Sequence, residues 1–184
     1  MATRNILRDD DPGLLKRSRV ITEYNQRLHI LLDDMKETLI KANGLGLAAP
    51  QVGVLRRAVL IVDTDIEAES PEDQIIELIN PQILETDGEQ TGREGCLSVP
   101  GVYGIVTRPE SVKVMASDRY GNPFELSGTL LTARAICHEV DHLDGVVFTS
   151  IVERYLTEEE IAELSAENEQ ENEQDDDQEN TDEE

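Results

Sequence analysis

Two histidines and one glutamate stand at a spacing that restricts what this chain can fold into more than any other feature. They form the H-E-x-x-H pattern His138-Glu139-Val140-Asp141-His142. Residues four positions apart lie one turn above each other on the same face of an α-helix, so both imidazoles can bind one metal ion. Glu139 adds a carboxylate that can accept and donate protons. The pattern predicts a metal-binding helix; taken alone, it also fits a surface helix with two histidines that bind no metal.

The residues around the pattern favour a buried helix. We predict a helix over 132–143, with Thr132 as its N-cap and Gly145 just beyond its end. The neighbouring positions are mostly small or apolar: Ala133, Ala135, Ile136, Val140 and Leu143. A buried histidine must have a polar partner or a metal ion, which strengthens the metal hypothesis.

A catalytic metal site of this kind needs a third protein ligand and an open position for water. Cys96 is the best candidate, because it lies among glycine and turn residues that can expose its thiolate. Cys137 points about 100° away from His138 around the helix and is expected to be a small core residue. Among downstream acids, Asp144 is too near in sequence and Glu153 is a weak candidate. A thiolate, two imidazoles and a water make a good zinc site.

The rest of the chain predicts an α+β fold. A long N-terminal helix is expected over 23–42, with Thr22 as N-cap, Gly44 just past its end and an apolar stripe at helical spacing. A run of small residues over 44–53 suits a backbone that approaches a ligand closely. Strands are expected over 57–62, 75–84, 105–107, 111–116 and 124–130. The predicted architecture is a small mixed or antiparallel sheet around a buried central metal-binding helix, plus the long N-terminal helix.

Charge is distributed unevenly along the chain. The net charge is −24, and 15 of the 40 acidic residues fall within 158–184, a stretch without Lys or Arg. This distribution argues against direct binding to nucleic acid, which needs clustered basic residues. We expect a catalytic domain over 1–156, a short helix over 157–166 and an acidic disordered tail over 167–184.

The composition also predicts a compartment. The longest aliphatic run, over 58–62, is too short to cross a bilayer, and the N-terminus has no apolar signal-like segment. The two cysteines, Cys96 and Cys137, are not expected to form a disulfide in a cytosolic chain of this size. A cytoplasmic protein with no membrane association is therefore expected.

Three stretches resemble, in order and spacing, the signature motifs of the peptide deformylase family. They read Gly44-Leu45-Gly46-Leu47-Ala48-Ala49-Pro50-Gln51, Glu94-Gly95-Cys96-Leu97-Ser98 and His138-Glu139-Val140-Asp141-His142-Leu143-Asp144-Gly145. The resemblance covers roughly residues 5–152. It implies a metal-dependent hydrolase that removes the N-formyl group from the initiator methionine of newly made polypeptides.

The resemblance also implies a role for each motif residue. Cys96, His138 and His142 would bind the metal, and Glu139 would be the general acid and base. The side-chain amide of Gln51 and the backbone N–H of Leu97 would stabilise the developing oxyanion. The implied physiological metal is Fe(II), with zinc, nickel or cobalt able to substitute, whereas the ligand set alone favours zinc.

Substrate contacts follow from the same resemblance. Gly46 would pair with the extended substrate backbone, and Leu45 and Leu131 would contact the methionine side chain. Glu94 and Arg108 would form a structural ion pair. The implied partners are N-formylmethionyl nascent peptides, met by diffusion or in a transient encounter with the ribosome.

Two other interpretations compete with deformylation. One is a general HExxH metallopeptidase that cuts internal peptide bonds; the lack of a credible downstream glutamate ligand and the motif around Cys96 count against it. The other is a metal-stabilised module that recognises formylated N-termini without cleaving them, in which Glu139 would have no purpose.

Overall fold

Two antiparallel sheets and two α-helices make up the fold of the computed structural model, which describes residues 2–68, 70 and 72–163. The elements are α1 (Gln26–Ala42), β1 (Gly46–Ala48), β2 (Ala58–Val62), β3 (Ile75–Asp87), β4 (Gln90–Cys96), β5 (Val99–Arg108), β6 (Ser111–Ser117), β7 (Pro123–Thr129), α2 (Leu130–Leu143) and β8 (Arg154–Tyr155). The five-stranded sheet has the order β1-β2-β3-β6-β7, and the three-stranded sheet has the order β4-β5-β8. All strand pairs within these sheets are antiparallel.

The five-stranded sheet lies between the two helices. Val59 and Ile61 of β2 pack in the same apolar cluster as α2, and the alternate residues Ala58 and Leu60 pack with α1. A strand covered on both faces needs apolar side chains at every position, which explains the unbroken aliphatic run of β2. A third cluster, which includes Leu14, Val99, Val106, Val147 and Phe148, packs beside the three-stranded sheet.

The start of α1 differs from the sequence prediction, whereas its end agrees with it. The helix begins at Gln26, because the side chain of Asn25 accepts hydrogen bonds from the backbone N–H groups of Arg27 and Leu28 and so caps it in place of Thr22. The helix ends at Ala42, as predicted, but the left-handed residue after it is Asn43, with φ 49°, and not Gly44. Asparagine tolerates this conformation.

The start of α2 also differs. The helix begins at Leu130 with Thr129 as N-cap, two residues before the predicted start. The predicted cap, Thr132, is buried inside the first turn, where its hydroxyl donates to the Asp63 carboxylate at 3.1 Å and accepts from the backbone N–H of Thr64 at 3.0 Å. Thr132 therefore fastens the helix to the loop after β2 and does not cap it.

Three strands were not predicted from the sequence: β1, β4 and the short β8. The run of small residues contains β1, which pairs with β2 and forms an edge of the five-stranded sheet. Strand β4 begins at Gln90 and leads directly to Cys96. Asn80 lies at a register shift between β3 and β6, inside the five-stranded sheet. Its side-chain amide bonds to the backbone of Ile21, which supports the irregular segment.

The C-terminal region is described only in part. Residues 158–163 are helical, which agrees with the start of the helix predicted over 157–166. The remainder of that helix and the acidic tail predicted over 167–184 lie outside the described residues. Within the described part of the chain, no helix is both long and apolar enough to span a membrane.

Candidate metal centre

The two histidines of α2 lie close to Cys96, which belongs to the three-stranded sheet. The ring centroids of His138 and His142 lie 5.0 Å apart, and Sγ of Cys96 lies 3.2 Å from Nε2 of His142. One ligand atom from each of the three residues lies within 4.8 Å of the other two. The structure therefore brings together the three residues that the sequence predicted as metal ligands.

The hairpin between β4 and β5 aims Cys96 at the histidines. Cys96 is the last residue of β4 and pairs with Val99 across a turn made by Leu97 and Ser98. The register shifts between Gly95 and Cys96, because residues 100–102 of β5 lie between their partners Tyr103 and Val99. Such an irregularity in the pairing changes the direction of the side chains next to it.

The other residues considered as ligands lie elsewhere. Asp144 is paired with Arg57 at 2.8 Å, and Glu153 accepts a hydrogen bond from the hydroxyl of Thr107 at 2.6 Å. Cys137 is 5% exposed and packs in the apolar cluster between α2 and the five-stranded sheet, as expected for a core residue.

A buried carboxylate orients the first histidine. Oε2 of Glu94 lies 3.0 Å from Nδ1 of His138, which leaves Nε2 to face the other ligands. Arg108 donates to the same carboxylate from Nε at 2.8 Å and Nη2 at 3.1 Å. Burial alone raises the pKa of Glu94, but the hydrogen bonds with His138 and Arg108 outweigh it and lower this pKa to about 2. The expected ion pair between Glu94 and Arg108 is present.

The pKa values of the two imidazoles are shifted in opposite directions. Burial lowers the pKa of His138, but hydrogen bonds with Cys96 and Glu94 outweigh burial and raise this pKa to about 10. Burial and the nearby His138 charge lower the pKa of His142 to about 3, so this ring is neutral. A neutral, buried imidazole beside a cysteine sulfur is a suitable metal ligand.

The three side chains fit a divalent transition metal. One thiolate and two imidazoles match the donor set of zinc and of metals with similar preferences, and the carboxylate behind His138 is the usual support for a ligating imidazole. Three protein ligands leave one tetrahedral position for water or substrate. Asp141, which accepts from Nη1 of Arg108 at 2.6 Å, is therefore not needed as a fourth ligand.

Glu139 lies beside this cluster with an unpaired oxygen. Glu139 is 4% exposed, and its Oε2 has no hydrogen-bond partner among the described residues. Burial raises the pKa of Glu139 to about 7, with smaller opposing effects from neighbouring charges. A carboxyl group with this pKa can both accept and release a proton near neutral pH.

Gln51 connects the run of small residues to the cysteine hairpin. Its Oε1 accepts a hydrogen bond from the backbone N–H of Ala48 at 2.7 Å. Its Nε2 lies 3.2 Å from Oγ of Ser98 and 3.5 Å from Sγ of Cys96. The side chain is 1% exposed and is thus held with its amide donor toward the metal cluster.

A cleft of about 630 Å³ opens onto the cluster. Gly46 of the edge strand β1 and the hairpin of Cys96 line it, as do His138 and Glu139. Leu45 and Leu131, which are 44% and 42% exposed, also line this cleft. The expected substrate-contacting residues thus share one cavity with Glu139 and Leu97, whereas Gln51 lies behind the lining of this cleft.

Comparison with known proteins agrees with this arrangement. Residues 3–157 match the family model described as polypeptide deformylase. A peptide deformylase of Caldicellulosiruptor bescii is 53% identical over 161 residues, which cover 88% of this chain and 92% of that protein. The chain belongs to the peptide deformylase family. It is therefore a hydrolase, and the family supports removal of formyl groups from nascent peptides.

Solved structures of the family share the fold. A peptide deformylase from Legionella pneumophila has a TM-score of 0.75 and 36% identity, with coverage of 90% of this chain and 96% of that one. A peptide deformylase from Thermotoga maritima has a TM-score of 0.77 and 31% identity, with coverage of 84% and 100%. The α/β fold with antiparallel sheets is thus the fold of the peptide deformylase family.

Two residues of the site were not predicted from the sequence. Ser98 accepts from the Gln51 amide, and Arg134 donates from Nη1 to Oε1 of Glu94 at 2.8 Å. Ser98 carried no signal beyond its place in the motif. Arg134 precedes His138 by four positions, so its position on the same face of the helix was available as a signal.

Proposed function

We propose that this chain hydrolyses the formyl amide of N-formylmethionyl peptides, releasing formate and a peptide with a free methionine amine. The observation that carries the proposal is the joint position of Cys96, His138 and His142 beside Glu139, in a chain of the peptide deformylase family. The general HExxH metallopeptidase is not supported, because Asp144 and Glu153 are engaged elsewhere.

The metal would be held by Sγ of Cys96 and one ring nitrogen of each histidine. When bound there, a divalent metal ion supplies Lewis acidity that polarises the formyl carbonyl and makes water reactive at neutral pH. Glu94 keeps Nδ1 of His138 occupied, so that Nε2 is the nitrogen offered to the metal.

Glu139 moves the proton in this mechanism. Its carboxylate takes a proton from the attacking water, whose oxygen forms the new bond to the formyl carbon. When the carbon–nitrogen bond breaks, the same carboxyl group gives that proton to the departing amine. Burial of Glu139 supports both steps, because a pKa of about 7 suits an acid and a base equally.

Gln51 and Leu97 stabilise the charge that develops on the formyl oxygen. The amide of Gln51 is held in advance, since its Oε1 is fixed by the N–H of Ala48. The backbone N–H of Leu97 belongs to the tight turn that follows Cys96. Donors fixed before the reaction need no reorganisation as the charge develops.

The substrate backbone would add to the edge of β1. This strand is the outermost of its sheet, so the edge at Gly46 can pair with an extended peptide. Leu45 and Leu131 provide apolar surface in the same cleft for the methionine side chain.

We further propose Fe(II) as the physiological metal, with zinc, nickel or cobalt as functional substitutes. The donor set supports any of these ions. Anaerobic purification followed by metal analysis and aerobic decay of activity tests this. Zinc at full occupancy with full activity in air would contradict the iron assignment.

The proposal places the enzyme in the cytoplasm, acting on nascent chains as their formylated N-termini emerge. The catalytic domain would span 1–156, which agrees with the end of the family match at residue 157. The acidic stretch after it does not favour binding to ribosomal RNA, so encounter by diffusion or a transient meeting with the ribosome is proposed.

One assay separates the competing functions. Formate release from formyl-Met-Ala-Ser is measured for the wild type, for Glu139→Ala and for the matched control Glu153→Ala, whose carboxylate lies outside the site. Deformylation predicts formate from the wild type and the control only. Cleavage of an internal bond would indicate the peptidase, and binding without turnover would indicate the recognition module.

A further inference from the structure

Arg134 forms an unusually well-anchored ion pair within the site. Its side chain is 8% exposed, and Nη1 donates to Oε1 of Glu94 at 2.8 Å and to the carbonyl oxygen of Val106 at 3.0 Å. Nη2 donates to the carbonyl oxygen of Gln90 at 3.2 Å. One guanidinium group thus ties α2 to both strands of the hairpin that carries Cys96.

The spacing of Arg134 and His138 gives this contact a second effect. The two residues lie four positions apart on one face of α2, and Glu94 bridges them. Oε1 of Glu94 accepts from Arg134, and Oε2 contacts Nδ1 of His138 at 3.0 Å. Each oxygen of the Glu94 carboxylate therefore contacts a residue of α2, and these two residues lie about one helical turn apart.

Gly92 provides the space for this arrangement. A Cβ atom at position 92 would lie 3.1 Å from Nη2 of Arg134, so a side chain there would crowd the guanidinium group. Two buried guanidinium groups, of Arg108 and Arg134, both bond to the buried Glu94 carboxylate, and Arg108 also bonds to Asp141. Removing one partner from such a buried ionic cluster leaves the remaining charges uncompensated.

We propose that Arg134 is a positioning residue for the metal site: it fixes the Glu94 carboxylate so that Glu94 holds the His138 ring with Nε2 toward Cys96 and His142. Arg108 also contacts Glu94, but it belongs to β5 and reaches α2 through Asp141, whereas Arg134 is itself a residue of the helix that carries both histidines. This inference rests on the proposed metal-dependent hydrolysis and adds a residue to it.

The test compares metal retention in three variants. Arg134→Met removes the charge and the hydrogen bonds, and Arg134→Lys keeps the charge but loses the planar fork. The matched control is Arg57→Met. Arg57 is a partly buried arginine that contacts the end of α2, through Asp144 and the carbonyl oxygen of Leu143. Release of zinc from each zinc-loaded protein is followed with a chromophoric chelator, together with kcat, KM and Tm.

Loss of an outer partner of a ligating histidine costs about 10- to 100-fold in metal affinity or activity. Arg134→Met is expected to release zinc about 10-fold faster than the wild type and to lower kcat with little change in KM. Arg134→Lys is expected to release zinc at a rate between those of the wild type and Arg134→Met. If Arg134→Met does not fold, the comparison of Arg134→Lys with the wild type is the test. Arg57→Met is expected to lower Tm but to release zinc at the wild-type rate.

Two results would overturn the proposal. One is a wild-type rate of zinc release from both Arg134 variants. The other is an equal acceleration in Arg57→Met, which would reduce the role of Arg134 to general stability. If the wild type released no formate from formyl peptides, the proposed function would fail, while the comparison of zinc release would still judge the role of Arg134.

Discussion

Gly46 lies directly against the carboxylate of Glu139. A Cβ atom added to Gly46 would stand 2.5 Å from Oε1 and 2.6 Å from Cγ of Glu139. No side chain fits into this space without moving the glutamate. Glycine at position 46 of the edge strand is therefore needed for Glu139, the proposed general base, to keep its place.

This contact makes Gly46→Ala a direct test of Glu139 placement. We expect kcat for a formyl-Met peptide to fall by about 100-fold, the cost of a displacement of about 1 Å in a catalytic group. Gly121→Ala is the matched control, because φ of 91° at this remote hairpin makes the substitution strained. The control should lower Tm and keep kcat, and equal kcat losses in both variants would contradict the prediction.

Gln51→Leu tests the proposed oxyanion donor. Removing one such donor costs about 10²- to 10³-fold in kcat, and we expect a loss of this size with retained metal. The backbone N–H of Ala48 also loses its acceptor, so unfolding should become easier by about 1–3 kcal/mol. Gln90→Leu removes a side chain that donates to the backbone carbonyls of Pro109 and Leu130, outside the metal cluster, and should keep wild-type kcat.

The two cysteines should respond in opposite ways to substitution. Cys96→Ala removes a proposed ligand, and metal analysis of the purified protein should find little bound metal. Cys137→Ala removes a 5%-exposed core side chain on the other side of α2. It should retain metal and activity with a loss of stability of about 1 kcal/mol. Full metal content in Cys96→Ala would remove Cys96 from the ligand set.

The lowered pKa of Asp34, near the N-terminus, predicts a contribution to stability that depends on pH. A hydrogen bond from the backbone N–H of Ala2, together with Arg4, lowers the pKa of Asp34 despite partial burial. The carboxylate therefore stabilises the fold above its unfolded-state pKa of about 4, and this contribution is lost as pH falls through the lower folded-state pKa.

Asp34→Asn should accordingly lower the urea midpoint at pH 7, and its difference from the wild type should shrink toward pH 3. Asp10→Asn, at an exposed turn position, serves as the control and should show little difference at either pH. A difference for Asp34→Asn that is constant between pH 7 and pH 3 would contradict the assignment.

Deletion of residues 167–184 tests the predicted division of the chain. The family match ends at residue 157, so we expect the shortened protein to keep the wild-type kcat/KM for a short formyl peptide. Assays at low and high salt check whether the acidic residues affect substrate encounter. A large loss of turnover at both salt concentrations would show that the acidic stretch takes part in catalysis.

Local geometry explains what the sequence determined by itself. His138 and His142 share a helix face because of the 3.6-residue period, and this holds for any helix that contains them. Cys96 was identified because glycine and turn residues around it can expose its thiolate. The strand predicted over 57–62 was also readable from its aliphatic run, since a strand buried on both faces is apolar throughout.

The tertiary structure decided where the elements end and which partners the charged residues have. Asn25 and not Thr22 caps α1. Thr132 does not cap α2, because its hydroxyl bonds to the carboxylate of Asp63, which is distant in sequence. Arg134 is an ordinary helical arginine in the sequence. It becomes a part of the metal site only because the hairpin of β4 and β5 brings Glu94 against the same turn of α2 as His138.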